Sequence, residues 1–376
     1  MPKQEVIFLR TSERSSFKRC RQAWWWAFVE QVKPKTAAPA LRFGSLVHKA
    51  MEIRYPKGVK RGPHPAETFE RLYEEELKTQ TKMGFRDEDG DWHEAGQMGV
   101  AMLNHFVEEF GKDEEWEVVA SELPFQVTLH ETERFKVVYV GVIDGVWRNR
   151  KTKKLWMNDW KTAKTISTKH LTLDEQAGAY WGFGPDFLLQ EKLIKKTDAL
   201  QGILFTFMRK AKPDGRYRHP QSGLYLNLPK AADVKHVLNE NGLYVPKKGE
   251  GSGKDGAVVV ADLVGALPDN LRDRALILGE VSKDQPGAFF ERVPTRRSKV
   301  ESERLKARAL SEAQDMMRVR LGKSDVYINP SAMNCGSCGY RDPCELQESG
   351  HDFESLMKMT MVDWDPYAEH EVYDRS

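Results

Sequence analysis

A chain of 376 residues can build two domains or one domain with insertions, and 40% apolar against 30% charged residues supply a core and argue against wholesale disorder. Its 58 Lys+Arg and 56 Asp+Glu leave a formal charge of only +2, so a polyanion surface has to come from local clustering. No uncharged apolar stretch approaches the roughly 18 residues that span a bilayer, and no apolar run follows the basic N-terminus, so the expectation is a cytoplasmic protein without membrane or export segment.

Residues 12–30 read as a helix with a basic face (Arg14, Lys18, Arg19, Arg21) and the run Trp24, Trp25, Trp26, expected as core and shielding. The linker KPKTAAPA precedes a helical segment, LRFGSLVHKAMEIRY, that stops before Pro56. Residues 66–80 and 95–111 read as helices with acidic outer faces. From 118 the pattern changes. ELPFQVTL, FKVVYVGVIDGVW and KLWMNDW are β-rich runs split by short polar breaks, an antiparallel meander. A helix is expected at about 173–183, with Thr172 and Glu175 as a capping box, then a strand in ALQGILFTFMR. Residues 211–286 read as a mixed insertion with the flexible loop PKKGEGSGKDGA. FFERVP returns as a strand, and a charged helix at about 298–321 leads to a Cys-rich segment and an acidic tail. This order predicts an α/β fold with a mixed sheet.

The break RNRKTKK separates two strands whose antiparallel pairing sets Asp144 opposite Asp159, within one residue of register. Alternation puts Lys161 on the face of Asp159 and turns Trp160 the other way. An isolated D-x-K is common. Asp144, however, interrupts the apolar run VGVIDGV, where a carboxylate is costly unless it is paired or holds a metal. Two carboxylates and an ammonium on one patch suit a hard cation such as Mg²⁺ or Mn²⁺ beside a phosphodiester.

GVIDGV, NDWKTA and QAGAY, with GSLVHKAME upstream, resemble in order the motifs of the RecB-like branch of the PD-(D/E)XK nuclease superfamily. The resemblance covers roughly residues 12–30, 43–209 and 288–350. It implies a restriction-endonuclease-like core, with metal ligation by His48, Asp144, Asp159 and the carbonyl of Trp160. It also implies that Lys161 orients or deprotonates the attacking water, and that Gln176 and Tyr180, four apart on one helix face, contact the DNA or a metal-bound phosphate. Glu52, one turn beyond His48, is expected to support that site. Gly145 departs from the pattern, because many relatives carry a basic residue there.

The four cysteines are Cys20, Cys335, Cys338 and Cys344, and the last three form C-x2-C-x5-C. A reducing compartment argues against disulfides, and four thiolates suit either tetrahedral zinc or an iron–sulfur cluster. One cysteine before the histidine motif and three after the core is similar to the cluster-bearing RecB-like nucleases, the AddB subunit and the CRISPR-associated exonuclease among them. The resemblance therefore implies a 4Fe-4S cluster clamping the two ends of the chain.

The basic runs Arg10–Arg21 and Arg148–Lys154 are expected to flank the cluster and the active site along a nucleic-acid path. The expected organisation is a clamp segment (1–30), a nuclease core (31–210), an insertion (211–286), a completing strand and helix (287–324) and an iron–sulfur segment with tail (325–376). The expected function is metal-dependent exonuclease action on single-stranded DNA or DNA ends, in recombination, repair or bacteriophage DNA processing. Its expected partners are DNA and recombination or replication proteins. The alternative is a non-catalytic DNA-binding protein on the same fold, against which the intact Asp144, Asp159 and Lys161 argue. No G-x4-G-K-[ST] phosphate loop is present.

Overall fold

The computed structural model describes residues 4–35, 39–198, 200–227, 231–242, 262–277 and 279–368. One compact unit comprises the chain up to Ala211 together with Phe289 onward, and a second comprises Lys212–Ala288.

The first unit is built on a six-stranded mixed sheet. β3 (Trp116–Glu131), β4 (Phe135–Asn149) and β5 (Leu155–Ala163) form the expected antiparallel meander. β6 (Leu200–Arg209) runs parallel to β5, and β7 (Phe290–Thr295) pairs antiparallel with β6. The apolar alternation that marks these strands turns one set of side chains to each face. Ile143, Met157, Phe205 and Phe207 pack against α6 (Glu175–Gln190) and α7 (Lys299–Arg320). Trp147, Trp160 and Leu204 pack against α3 (Pro39–Arg54), α4 (Pro65–Lys82) and α5 (Asp91–Phe110). Each helix layer thus buries one face of a sheet too apolar to meet water on either side.

An unforeseen strand, β1 (Glu5–Leu9), lies parallel to the start of β4, from Glu5↔Phe135 to Leu9↔Tyr139. β4 thereby changes partner along one edge. It pairs with β1 up to Tyr139 and with β5 from Gly145, leaving residues 140–144 at a fork.

The helix expected over 12–30 is broken. α1 (Thr11–Arg19) ends at Cys20, whose backbone is extended, and α2 (Arg21–Trp24) restarts before a π-helical turn at Trp25–Val29. The expected Thr172 cap is also corrected. Asp174 caps α6 by accepting the Ala177 N–H at 2.7 Å, and α6 runs through Pro185 to Gln190. α6 and α7 approach closely at Gly178, where a Cβ would lie 2.6 Å from Leu305 Cδ1.

The chain ends meet through backbone pairing that the sequence did not advertise. β2 (Val32–Pro34) pairs antiparallel with β8 (Met361–Asp363), and the Tyr340 hydroxyl donates to the Val32 carbonyl at 2.6 Å. The second unit has its own small core of Leu226, Val237, Leu238, Val264, Leu267 and Leu276. The loop PKKGEGSGKDGA and the last eight residues lie outside the described residues. Among the described residues, no helix is long and apolar enough to cross a membrane.

Candidate active site

The fork in the sheet creates the site. β4 and β5 pair as far as Gly145↔Asn158, which continues to Asp144 beside Asp159 as the hairpin arithmetic requires. Beyond that point the strands diverge, and their inner edges need other partners. Asp144 supplies one, accepting the Trp160 N–H at 2.9 Å. The N–H and C=O of a strand residue point to the same edge, so the Trp160 carbonyl faces the fork as well. His48 on α3 hydrogen-bonds the Trp160 backbone and sets Nδ1 3.3 Å from Asp144 Oδ2. On β4 itself the freed carbonyl of Val142 accepts from the Tyr180 hydroxyl.

Asp159 is fully buried, and Lys161 Nζ stands 2.6 Å from its Oδ2. That contact is an ion pair of close approach without good hydrogen-bond geometry, because neither Asp159 oxygen has a hydrogen-bond donor among the described residues. Lys161 instead donates to Gln176 Oε1 at 2.7 Å, and Gln176 Nε2 donates to the Tyr180 oxygen at 2.7 Å. A continuous chain therefore runs Lys161–Gln176–Tyr180–Val142. The i, i+4 spacing of Gln176 and Tyr180 on α6 is what lets one amide bridge the two.

The electrostatics follow from burial. Desolvation pushes the Asp144 carboxyl up to about 6 against the pull of Lys161. Desolvation likewise pushes Asp159 up to about 7, with Lys161 opposing and Asp144 adding to the rise. Burial alone would lower Lys161, but the Asp159 and Asp144 charges outweigh it and hold the ammonium above its ordinary value. Burial lowers His48, so its ring favours the neutral, ligating form. Burial and the two carboxylates keep Tyr180 a hydroxyl donor.

His48, Glu52, Asp144, Gln176 and Tyr180 line a cavity of about 970 Å³, while Asp159 and Lys161 are outside its lining. Glu52 reaches it while paired with Lys49 at 2.5 Å. Gly145 has a local reason to be glycine: a Cβ there would lie 2.7 Å from the Trp147 indole nitrogen.

Glu122 lines the cavity too, and the sequence reading missed it. It falls between the pairs Ser121↔Gly145 and Leu123↔Ile143, directly across β3 from Asp144, with φ of 43°. That left-handed backbone is uncommon for glutamate and breaks the ladder at this step. The available signal was a carboxylate within a β-rich run, in register with Asp144.

The basic segments behave differently from expectation. Arg14 is buried, its Nε 2.6 Å from Glu312 on α7, and Lys18, though exposed, pairs with Glu175 at 2.6 Å, so both brace α1 against its neighbours. The cationic head of Arg21 stacks over Phe17 and Tyr327. The Arg148–Lys154 turn begins four residues from Asp144, about 13 Å along the strand, and contributes nothing to the cavity lining. Arg10 and Arg19 do line it.

The four cysteines come together. Cys20, Cys335, Cys338 and Cys344 line one cavity of about 420 Å³ with Trp26 and Tyr340. Burial, then the neighbouring Cys20, Glu348, Cys338 and Cys335, pushes the Cys344 thiol up to about 11. Among the described residues, no three His, Cys, Asp or Glu side chains are gathered tightly enough to hold a metal ion, at either site. The four cysteines thus share a cavity, but the expected iron–sulfur clamp is not shown. In donor chemistry both sites still fit their groups: Asp159's unbonded oxygens and the Trp160 carbonyl suit a hard divalent cation, and four thiols suit a thiophilic centre.

No curated protein matches the chain significantly. Residues 11–345 match the PD-(D/E)XK nuclease superfamily. This span takes in both carboxylates, the lysine, α6 and all four cysteines, so the chain belongs to the PD-(D/E)XK nuclease superfamily, whose members are typically divalent-metal-dependent nucleases.

Proposed function

We propose that the protein is a RecB-like exonuclease that hydrolyses phosphodiester bonds of single-stranded DNA or DNA ends, in recombination, repair or phage DNA processing. The observation that carries the nuclease reading is the fork itself. Two buried carboxylates, one with both oxygens free of hydrogen bonds, stand beside a lysine ammonium, and one of them, Asp144, lines an open cavity. Asp144, Asp159, the Trp160 carbonyl and His48 would hold Mg²⁺ or Mn²⁺. Such a cation polarises a phosphoryl oxygen and lowers the pKa of a bound water.

The chain's own groups do the rest. Lys161, charged at neutral pH, holds the attacking water or a non-bridging phosphate oxygen beside Asp159. Gln176 fixes the direction of the ammonium by accepting one of its protons. Tyr180 anchors Gln176 and keeps β4 open by occupying the Val142 carbonyl. His48 orients Asp144 and, as a neutral ring, remains available as a ligand. In this reading Cys20, Cys335, Cys338 and Cys344 carry a 4Fe-4S cluster that reinforces the junction of the chain ends and takes no part in hydrolysis. The cavity that the four thiols share and the influence of the other three on Cys344 support it.

The exonuclease assignment rests on the order of the motifs. Linear and covalently closed circular single strands, each with Mg²⁺, test it. Digestion of the linear strand alone is expected, and equal digestion of the circle would make the enzyme an endonuclease.

A further inference from the structure

α1 has two faces with opposite fates. Buried Arg14 and exposed Lys18 are both paired with Glu175 of α6 and Glu312 of α7. Ser12, Ser15, Ser16 and Arg19, at helical spacing of three and four residues, line the same cavity as Asp144, Gln176 and Tyr180. These pairs fix α1 to α6, which carries Gln176 and Tyr180, and to α7. The outward face offers three hydroxyls and one guanidinium, donors without a carboxylate among them. Arg19 is exposed, and its guanidinium has no hydrogen bond or ion pair among the described residues. It also lines the cysteine cavity, so it stands between the two sites.

We propose that this face of α1 is the phosphate track for the strand leaving the carboxylate centre, with Arg19 binding one backbone phosphate by charge and Ser12, Ser15 and Ser16 binding flanking phosphate oxygens by hydrogen bonds. The proposal rests on the nuclease reading for its ligand. Ser12 to Arg19 spans about 10 Å of helix, at about 1.5 Å per residue. That length serves about two adjacent backbone phosphates of a single strand. Hydroxyls and arginine are the groups that position nucleic-acid backbones without reading bases, so the track binds irrespective of sequence.

The test is the salt dependence of binding to a short fluorescent single strand, followed by anisotropy with Ca²⁺ in place of Mg²⁺. Arg19→Ala is expected to raise Kd about tenfold at low salt and to flatten the slope of log K against log salt by about 0.7, the loss of one single-strand phosphate contact. Arg19→Lys should restore the slope. The triple change Ser12→Ala, Ser15→Ala, Ser16→Ala should raise Kd severalfold with an unaltered slope, because neutral hydroxyls release no counterions. The exposed Lys78→Ala, on α4 outside the cavity, should match wild type. Melting curves establish that each variant is folded. Wild-type slope and Kd in Arg19→Ala would overturn the track, as would failure of the wild-type protein to bind the strand. Arg19-dependent binding with no cleavage by wild type in Mg²⁺ would overturn the nuclease reading and leave the track standing.

Discussion

The carboxylate fork and the cysteine cavity pose the same electrostatic problem and solve it differently. Each gathers acidic groups in a setting where burial disfavours their charge, pushing Asp159 up to about 7 and Cys344 up to about 11. The fork carries its own cation, Lys161, and a chain of hydrogen bonds that fixes it. It is therefore organised before any metal arrives. The cysteine cavity holds four thiols from two distant segments, and the other three add to the charge cost at Cys344. Its order comes from outside, from β2–β8 pairing and from Asn329 and Asn334 donating to the Arg19 carbonyl at 3.0 and 3.2 Å. The fork is ordered by its own side chains, whereas the cysteine cavity is ordered by contacts around it.

Breaking the fork should have the largest effect. Lys161→Ala removes the charge that faces a developing phosphorane oxygen, and a single-turnover cleavage rate lower by about a thousandfold is expected. Binding of the uncut strand should change only severalfold. A rate within tenfold of wild type would mean that the preorganised ammonium is not part of the chemistry.

Cys20→Ser attacks the other site. Loss of iron from anaerobically purified protein is expected, with melting lowered by about 5 °C or more because ligation energy is coupled to folding. The β2–β8 amides should stay protected from hydrogen exchange, since their pairing needs no metal. Stoichiometric zinc in place of iron, or unchanged metal in Cys20→Ser, would remove the cluster from the account.

A finer cut sharpens the claim of preorganisation. Tyr180→Phe deletes the hydroxyl that ends the Lys161–Gln176 chain and leaves the buried ring in place. A hydrogen bond of about 1–2 kcal/mol corresponds to a kcat about tenfold lower, with melting lowered by only a few degrees for the unpaired Val142 carbonyl. No loss of rate would show that Lys161 is oriented by Asp159 alone.

The sequence made the fork legible because its determinants are local. Side-chain alternation and turn length set Asp144 against Asp159, and one helix spacing joined Gln176 to Tyr180. What it hid depends on distant partners. β1 pairs with β4 across some 130 residues, and that pairing is what opens the fork. Arg14 and Lys18 read as a surface, yet their partner Glu312 lies nearly 300 residues away. Glu122 was missed because its backbone leaves the regular strand at that one residue.

The smallest effect expected is on stability. A buried carboxyl whose folded pKa exceeds its unfolded value stabilises the fold while protonated. That contribution is complete below about pH 4 and lost as pH rises through about 7. Metal-free wild type should therefore melt progressively lower between about pH 5 and 8. Asp159→Asn should flatten this profile and melt about 2–4 °C higher at pH 8. Identical profiles would show that Asp159 is not held in the protonated range.

The central claim is that divalent-metal-dependent phosphodiester hydrolysis occurs at the fork. End-labelled linear single-stranded DNA, incubated with wild type and with Asp159→Asn purified in parallel, each in Mg²⁺ and in EDTA, tests it most directly. The account predicts digestion by wild type in Mg²⁺ alone and an intact strand in the other three reactions. Equal digestion by Asp159→Asn, or digestion by wild type in EDTA, would contradict it.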